Sequence, residues 1–286
     1  MAIEADHSAS CDESTGLISL GGTDIIKGHP LAPAMKTYSL LQLSLDQKID
    51  RRDFEDASRS VTSVSRQDCA MLHRQLFGIV VWNLPKDEAL AFQAELAQRD
   101  FPTLMVPDSE LALLPESFQI QGIELRDEDL VFTDSIGRSR IRPVSELEFL
   151  AAGVVSRLHF KSTWNQHLDF GIESTGTARL VTEHELYEES EMEFRLDFFF
   201  SSSPKRQHAS ACAVSTICYQ DKLLRLPDTE GLRELATDMA KLLPEERLSS
   251  YFRNPACHPS YRTLRNYQNE IRWHLHGLES RVPILC

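Results

Sequence analysis

The most suggestive polar residues lie in the segment 191–200, where they alternate with apolar ones. Glu193, Arg195 and Asp197 are each separated by one residue, so in a β-strand they share one face. Successive members of this set lie about 6 to 7 Å apart along a strand, and two carboxylates on one face could hold a divalent cation or act as an acid and base pair. Arg195 between them already neutralises the site and argues against a metal. The alternative interpretation is a solvated sheet face with surface ion pairs.

Arg138, Arg140 and Arg142 form a second alternating set and again share one face of a predicted strand. Three aligned guanidinium groups suit a phosphate, a carboxylate or an acidic helix of a partner. The alternative is a sheet rim whose arginines pair with nearby acids. We take these three arginines and Arg195 as candidate binding residues. Glu193 and Asp197 are candidate catalytic residues only under an alternative, enzymatic hypothesis.

Motifs that would indicate a common enzyme class are missing from the sequence. It contains no phosphate loop, dinucleotide fingerprint, nucleophile elbow or HExxH sequence, so we expect no cofactor. The six cysteines are scattered. Neither Cys212 with Cys218 nor Cys257 with His258 has the ligand spacing of a structural zinc site, so we expect reduced thiols and no metal.

The elements that position these residues fall into two predicted domains, 36–108 and 116–286, joined near 107–115. In the first domain, strand and helix patterns alternate in the order β, α, α, β, α, β, with Ser65 as the N-cap of the second helix. Pro85 sits where a first-turn proline of a helix belongs, and the apolar stripe of that helix contains Ala89, Phe92 and Leu96.

The second predicted domain is mostly β with helices at its end, so the whole chain is predicted to be α+β. We expect strands at 118–125, 128–133, 138–142, 154–161, 191–200 and 209–219, a short helix at 144–151, a loop at 162–178, and helices over 229–243 and from Tyr261 to Leu278. Phe198 and Phe200 share one face of their strand. Phe199 points to the other face, which we expect to pack under the C-terminal helix.

The element order of residues 36–108, with the stretch from Trp82 to Ala89, resembles the C-terminal domain of the ribosomal stalk protein and, more loosely, Clp-adaptor-like folds. That resemblance implies a small protein-contact module. The lysine-rich factor-binding helix of the stalk domain has no counterpart here, because arginines and acids are mixed between Asp50 and Gln75. Translation-factor binding is therefore not part of what the resemblance implies.

Residues 118–225 look like a pleckstrin-homology-like domain, in which a bent antiparallel β-sheet is closed by a helix. The likeness is greatest from Glu128 to Gly153, where strand, glycine turn, strand and short helix follow one another. The stretch from Phe198 to Arg206 also resembles uncharacterised bacterial proteins that carry a charged, Phe-rich strand followed by Pro-x-Arg. That second resemblance implies no function.

Composition limits the environment and the partners. The formal net charge is -13, which opposes general attraction to nucleic acid or to an anionic membrane surface. No apolar run approaches the length of a membrane-spanning helix, so we expect no membrane insertion and a cytoplasmic protein. Residues 1–34 lack periodicity, and we predict a disordered leader there; a start placed too early, with Met35 as the true start, is the alternative.

These observations favour a non-enzymatic adaptor or regulatory protein that acts through contacts with an unknown protein partner. The first alternative is a metal-dependent hydrolase that uses Glu193 and Asp197. It gains support if both carboxylates face a closed pocket with a histidine within reach, and loses support if they face open solvent. The second alternative is a protein that binds an anion or a lipid headgroup through the arginines at 138, 140 and 142.

Overall fold

The computed structural model describes residues 36–170, 178–201, 206–213, 216–225, 229–253 and 260–280. Helices and sheets of mixed and antiparallel strands are both present, which confirms the α+β class. The predicted leader lies outside the described residues. The division into domains 36–108 and 116–286 stays a prediction.

The first six elements contain the three strands and three helices of the N-terminal part. They are β1 (Thr37–Gln42), α1 (Arg51–Ser58), α2 (Arg66–Arg74), β2 (Ile79–Pro85), α3 (Lys86–Ala97) and β3 (Thr103–Pro107). The strands form an antiparallel sheet in the order β2, β1, β3. Ser65 caps α2 in a reciprocal capping box with Asp68, as its position predicted. The predicted stripe of Ala89, Phe92 and Leu96 is buried in the core.

The remaining elements form two five-stranded sheets and three helices. In chain order they are β4 (Ser117–Ile120), β5 (Gly122–Arg126), β6 (Asp129–Thr133), β7 (Ser139–Pro143), β8 (Leu147–Phe170), β9 (Ala178–Phe200), β10 (Gln207–Ala213), β11 (Thr216–Tyr219), β12 (Lys222–Arg225), α4 (Thr229–Ala240), α5 (Ser250–Arg253), β13 (Ser260–Tyr261) and α6 (Leu264–Ser280). One sheet has the strand order β13, β8, β9, β10, β4. The other has the order β12, β11, β5, β6, β7.

The β8–β9 pair supplies buried residues to two cores. Phe194, Leu196, Phe198 and Phe200 pack between the two sheets, with the Phe198 ring centroid 5.1 Å from that of Phe132. Phe199 faces the other way and packs with residues of α6, including Tyr267, as predicted. Because both faces of β9 are covered, every polar residue near its end has to find a partner inside the protein.

The helix predicted over 144–151 is wrong. Only the short 3-10 turn Val144–Glu146 is helical, and β8 begins at Leu147. An irregularity in the pairing between Leu147 and Phe149 lets Leu147 and Leu150 enter the same core. A bulge of this kind shifts the alternation of a strand by one residue and thus imitates the i, i+3 spacing of a helix.

Three further sequence predictions need correction. The loop predicted over 162–178 is mostly strand, because β8 stays paired with β9 as far as Phe170; residues 171–177 lie outside the described residues. Main-chain hydrogen bonds make this pairing, and they need no apolar alternation. The strand predicted over 209–219 is two strands, β10 and β11, which belong to different sheets. The predicted strand at 118–125 is likewise split into β4 and β5.

Helix α6 also packs against the N-terminal part of the chain. The Trp273 indole nitrogen donates a hydrogen bond to the Gln42 carbonyl oxygen at 2.6 Å. Gly78 has a positive φ of 74°, and a Cβ atom there would lie 2.9 Å from the Trp273 Cβ. A side chain at position 78 is therefore opposed both by the backbone conformation and by the helix. Within the described residues, no helix is both long enough and apolar enough to cross a membrane.

Candidate anion-binding cleft

Two of the three stripe arginines lie on β7, at the edge of their sheet. Arg140 is paired with Phe132 and Arg142 with Leu130, so both arginines share the face that carries those buried residues. Arg138 precedes β7. Its Nε donates to the Asp134 carboxylate at 2.7 Å, and its side chain is exposed. The predicted stripe of three is therefore brought together only at Arg140 and Arg142.

Arg140 and Arg142 line a cleft of about 1180 Å³. The segment 109–118 forms one wall, and Arg206, His208 and His276 contribute the remaining basic side chains. The acids of the lining are Glu110 and Glu116, both exposed. Sequence reasoning did not place this segment or the two histidines at a site.

The arginines of the cleft differ in their partners. The Arg206 Nε donates to Glu148 Oε2 at 2.9 Å. The Arg140 guanidinium carbon lies 4.4 Å from the centre of the Phe118 ring, a cation–π contact that leaves its N–H groups available. The Arg142 Nε is buried and has no hydrogen-bond partner among the described residues. Neither Arg140 nor Arg142 has a carboxylate within 4 Å in that part of the chain.

Beneath the cleft lies the other predicted constellation, which is buried. Glu193 is 2% exposed and Asp197 1%, so the interpretation as a solvated sheet face is wrong. The Arg195 Nη1 donates to Glu193 Oε1 at 3.0 Å, and its Nε lies 3.8 Å from Asp197 Oδ2. Arg195 thus belongs to this network and does not line the cleft. The physical cause is α6, which covers the face that these residues share with Phe199.

His208 connects the buried network to the cleft. Its Nε2 is 2.6 Å from Asp197 Oδ1, and its Nδ1 is 3.1 Å from the Pro115 carbonyl oxygen in the cleft wall. The ring stacks on Phe199 with centroids 4.3 Å apart. The Tyr267 hydroxyl from α6 donates to the other Asp197 oxygen at 2.6 Å. Both ring nitrogens of His208 and both oxygens of Asp197 are thus occupied.

Burial and charge act in opposite directions on Asp197. Burial alone would raise the pKa of Asp197, but the hydrogen bond and charge of His208, together with the charge of Arg195, outweigh it and lower the pKa. Burial and the nearby Asp197 charge raise the pKa of Tyr267 well above its usual value. The pair is therefore a neutral phenol that donates to a carboxylate.

This arrangement has two chemical consequences. A general base needs a nitrogen or oxygen atom free to take a proton from a substrate, and the contacts of Asp197 and His208 leave none directed into the cleft. A histidine does lie within reach of Asp197, but neither Asp197 nor Glu193 lines the cleft. Among the described residues, no group of three His, Cys, Asp or Glu side chains could hold a metal ion. Cys257 and His258 lie outside them.

The role of His208 could have been found from strand register. Predicted strands at 191–200 and 209–219 suggest a hairpin, and the observed pairing of β9 with β10 sets His208 opposite Phe199 and Ser210 opposite Asp197. His208 is then diagonal to Asp197, within reach of a ring nitrogen. The position of the cleft wall could not be predicted in this way, because β4 pairs in parallel with β10 from a distant part of the chain.

Comparisons with protein-family models, curated proteins and solved structures found no match.

Proposed function

We propose that the chain is a cytoplasmic binding protein whose cleft receives an anionic group, a phosphate or a carboxylate, through Arg140 and Arg142. The observation that carries this proposal is the contrast among the arginines. Arg138, Arg195 and Arg206 each have a carboxylate partner. Arg140 and Arg142 line the cleft with no such partner among the described residues. Guanidinium groups bind planar or tetrahedral oxyanions in bidentate fashion.

The net charge of -13 does not oppose this function at physiological salt. The Debye length there is about 8 Å, so charges on distant surfaces are largely screened. Of the basic side chains that line the cleft, Arg140 and Arg142 have no carboxylate partner among the described residues, and the acids of the lining are two exposed glutamates. Binding should therefore weaken as salt rises.

The hydrolase alternative at Glu193 and Asp197 receives less support than anion binding. Both carboxylates are committed to Arg195, His208 or Tyr267, and neither lines the cleft. The adaptor hypothesis is favoured by a specific feature of the surface. Ile141, between the two cleft arginines in sequence, is 59% exposed, and Ile136 at the preceding turn is exposed as well. Exposed aliphatic side chains on the strand that carries the cleft arginines, and at the turn before it, suit contact with a protein.

A titration with inorganic pyrophosphate tests the proposal. Isothermal titration calorimetry on the full chain should show binding that R140E/R142E weakens by about 100-fold or more, since each charge-assisted contact contributes roughly 1.5 to 3 kcal/mol. The matched control is Arg138→Glu, which changes an arginine two positions away that is paired with Asp134. It should leave the affinity nearly unchanged. Equal loss in both variants, or no binding by the wild-type chain, would contradict the proposal.

A further inference from the structure

Strand β7 is the last strand of its sheet, and no described strand lies beyond it. The Arg138 carbonyl accepts a hydrogen bond from the Asp134 amide, and the Val144 amide donates to the Glu128 carbonyl. In an antiparallel pair the main-chain groups turn toward the neighbour at every second residue. The even-numbered residues of β7 therefore bond to β6, and the N–H and C=O groups of Ser139 and Ile141 face outward.

The two faces of this free edge have different chemistry. Arg140 and Arg142 lie on the cleft side, and Ile141 lies on the opposite side, where it is paired with Val131. A strand added beside β7 would place its side chains alternately on these same two faces. Residues opposite the arginines would meet positive charge, and the residue opposite Ile141 would meet an exposed aliphatic side chain.

We propose that β7 binds an extended acidic segment of a partner protein as a sixth strand of its sheet, with the sequence pattern acidic, apolar, acidic. This inference rests on the anion-binding function proposed for the cleft and names its ligand: the carboxylates of the added strand are the anions that Arg140 and Arg142 bind. Main-chain hydrogen bonds to Ser139 and Ile141 supply affinity, and the alternating faces supply selectivity.

The ends of β7 limit the length of the bound segment. Pro143 has no N–H to donate, and the turn that contains Gly137, with a φ of 80°, precedes the strand. Only the outward groups of two residues, Ser139 and Ile141, are fully available. The recognised segment is therefore about three to five residues long. Because the pattern reads the same in both directions, it does not depend on the direction of the added strand.

The test uses a fluorescent peptide with the core sequence Glu-Val-Glu-Val-Glu, measured by anisotropy against the full chain. We expect binding that falls at least tenfold when glutamine replaces each glutamate. N-methylation of the peptide main chain on the edge that faces β7 should also cost at least tenfold, because it removes hydrogen bonds and leaves the charges unchanged. The variant R140E/R142E should no longer bind this peptide and should instead bind a peptide with lysine in place of each glutamate.

A matched pair of variants tests the apolar face. Leu223 lies on β12, the opposite edge strand of the same sheet, and is 63% exposed. Ile141→Ser should weaken peptide binding several-fold, whereas Leu223→Ser should have no effect. Equal effects of the two variants would overturn the assignment of the apolar contact.

The outcomes separate this inference from the function on which it rests. If pyrophosphate binds through Arg140 and Arg142 but the acidic peptide does not, the anion site stands and strand addition is overturned. Strand addition is also overturned if N-methylation of the peptide does not change its binding. The same holds if a single-stranded oligonucleotide binds through the same arginines more tightly than the peptide. If neither pyrophosphate nor peptide binds, both proposals fail.

Discussion

Replacing Asp197 with asparagine tests how the floor of the cleft is held. The side chain is almost fully buried, and its oxygens accept hydrogen bonds from Tyr267 and His208, both at 2.6 Å. Asparagine keeps the shape and the acceptor for the Tyr267 hydroxyl but removes the negative charge that faces His208 and Arg195. Removal of one partner from a buried ion pair costs about 3 to 5 kcal/mol.

We expect Asp197→Asn to fall at the lower end of that range, about 3 kcal/mol, because Glu193 still accepts a hydrogen bond from Arg195 at 3.0 Å. Urea unfolding of the wild-type and variant chains measures the change. The matched control is Glu124→Gln, which removes a carboxylate from an exposed arginine pair and should alter stability little. Equal stability of Asp197→Asn and the wild-type chain would refute the interpretation of Asp197 as a charged anchor.

The same variant predicts a pH dependence with a definite sign. The pKa of Asp197 is lower in the folded chain than in the unfolded one, so its ionisation stabilises the fold above the ordinary aspartate pKa of about 4. This contribution is lost as the pH falls through the lowered value. The difference in unfolding free energy between wild-type and Asp197→Asn should therefore shrink as the pH falls below about 4. A difference that grows in that range would contradict the assignment.

Two other buried contacts give further predictions. A Cβ at position 153 would overlap the buried Tyr261 ring, so Gly153→Ala should cost roughly 1 to 3 kcal/mol in thermal or urea unfolding. Gly122→Ala, whose Cβ would meet Thr133 Cβ at 3.2 Å, should cost less, and the reverse order would contradict the packing described. Glu270 is fully buried and accepts hydrogen bonds from the Ser250 amide, the Ser250 hydroxyl and the Tyr261 hydroxyl. Glu270→Ala should destabilise the chain by about 3 kcal/mol and speed hydrogen exchange of the Ser250 amide, and unchanged exchange would show that Glu270 does not hold α5.

Local patterns predicted the elements whose residues are buried on one side only. The capping residues of α2 and the apolar stripe of α3 depend on contacts within a few residues. Ser65 was therefore sufficient to predict where α2 begins, and the series Ala89, Phe92, Leu96 was sufficient to predict the buried face of α3. The bulge at the start of β8 was not predictable in this way. Its effect on Leu147 and Leu150 comes from pairing with β9, some fifty residues later in the chain.

Only part of the cleft was predictable, because the rest depends on pairing between strands that are distant in sequence. Alternation correctly set Arg140 and Arg142 on one face of a strand, but Arg138 precedes β7 and its side chain pairs with Asp134. Phe199 was predicted to lie under the C-terminal helix, and the same alternation sets Glu193, Arg195 and Asp197 on that covered face. Their burial follows from the prediction once it is applied to the whole strand. The wall 109–118 depends on the parallel pairing of β4 with β10, which no local pattern indicates.

We propose that Arg140 and Arg142 bind an anionic group in the cleft. The most direct measurement is the ratio of pyrophosphate affinities for R140E/R142E and Arg138→Glu, determined by calorimetry at low and at physiological salt. We predict a ratio of dissociation constants of about 100 or more at low salt, and a smaller ratio as salt rises. A ratio near one at both salt concentrations would contradict the claim, because it would show that cleft arginines and an exposed, paired arginine contribute alike.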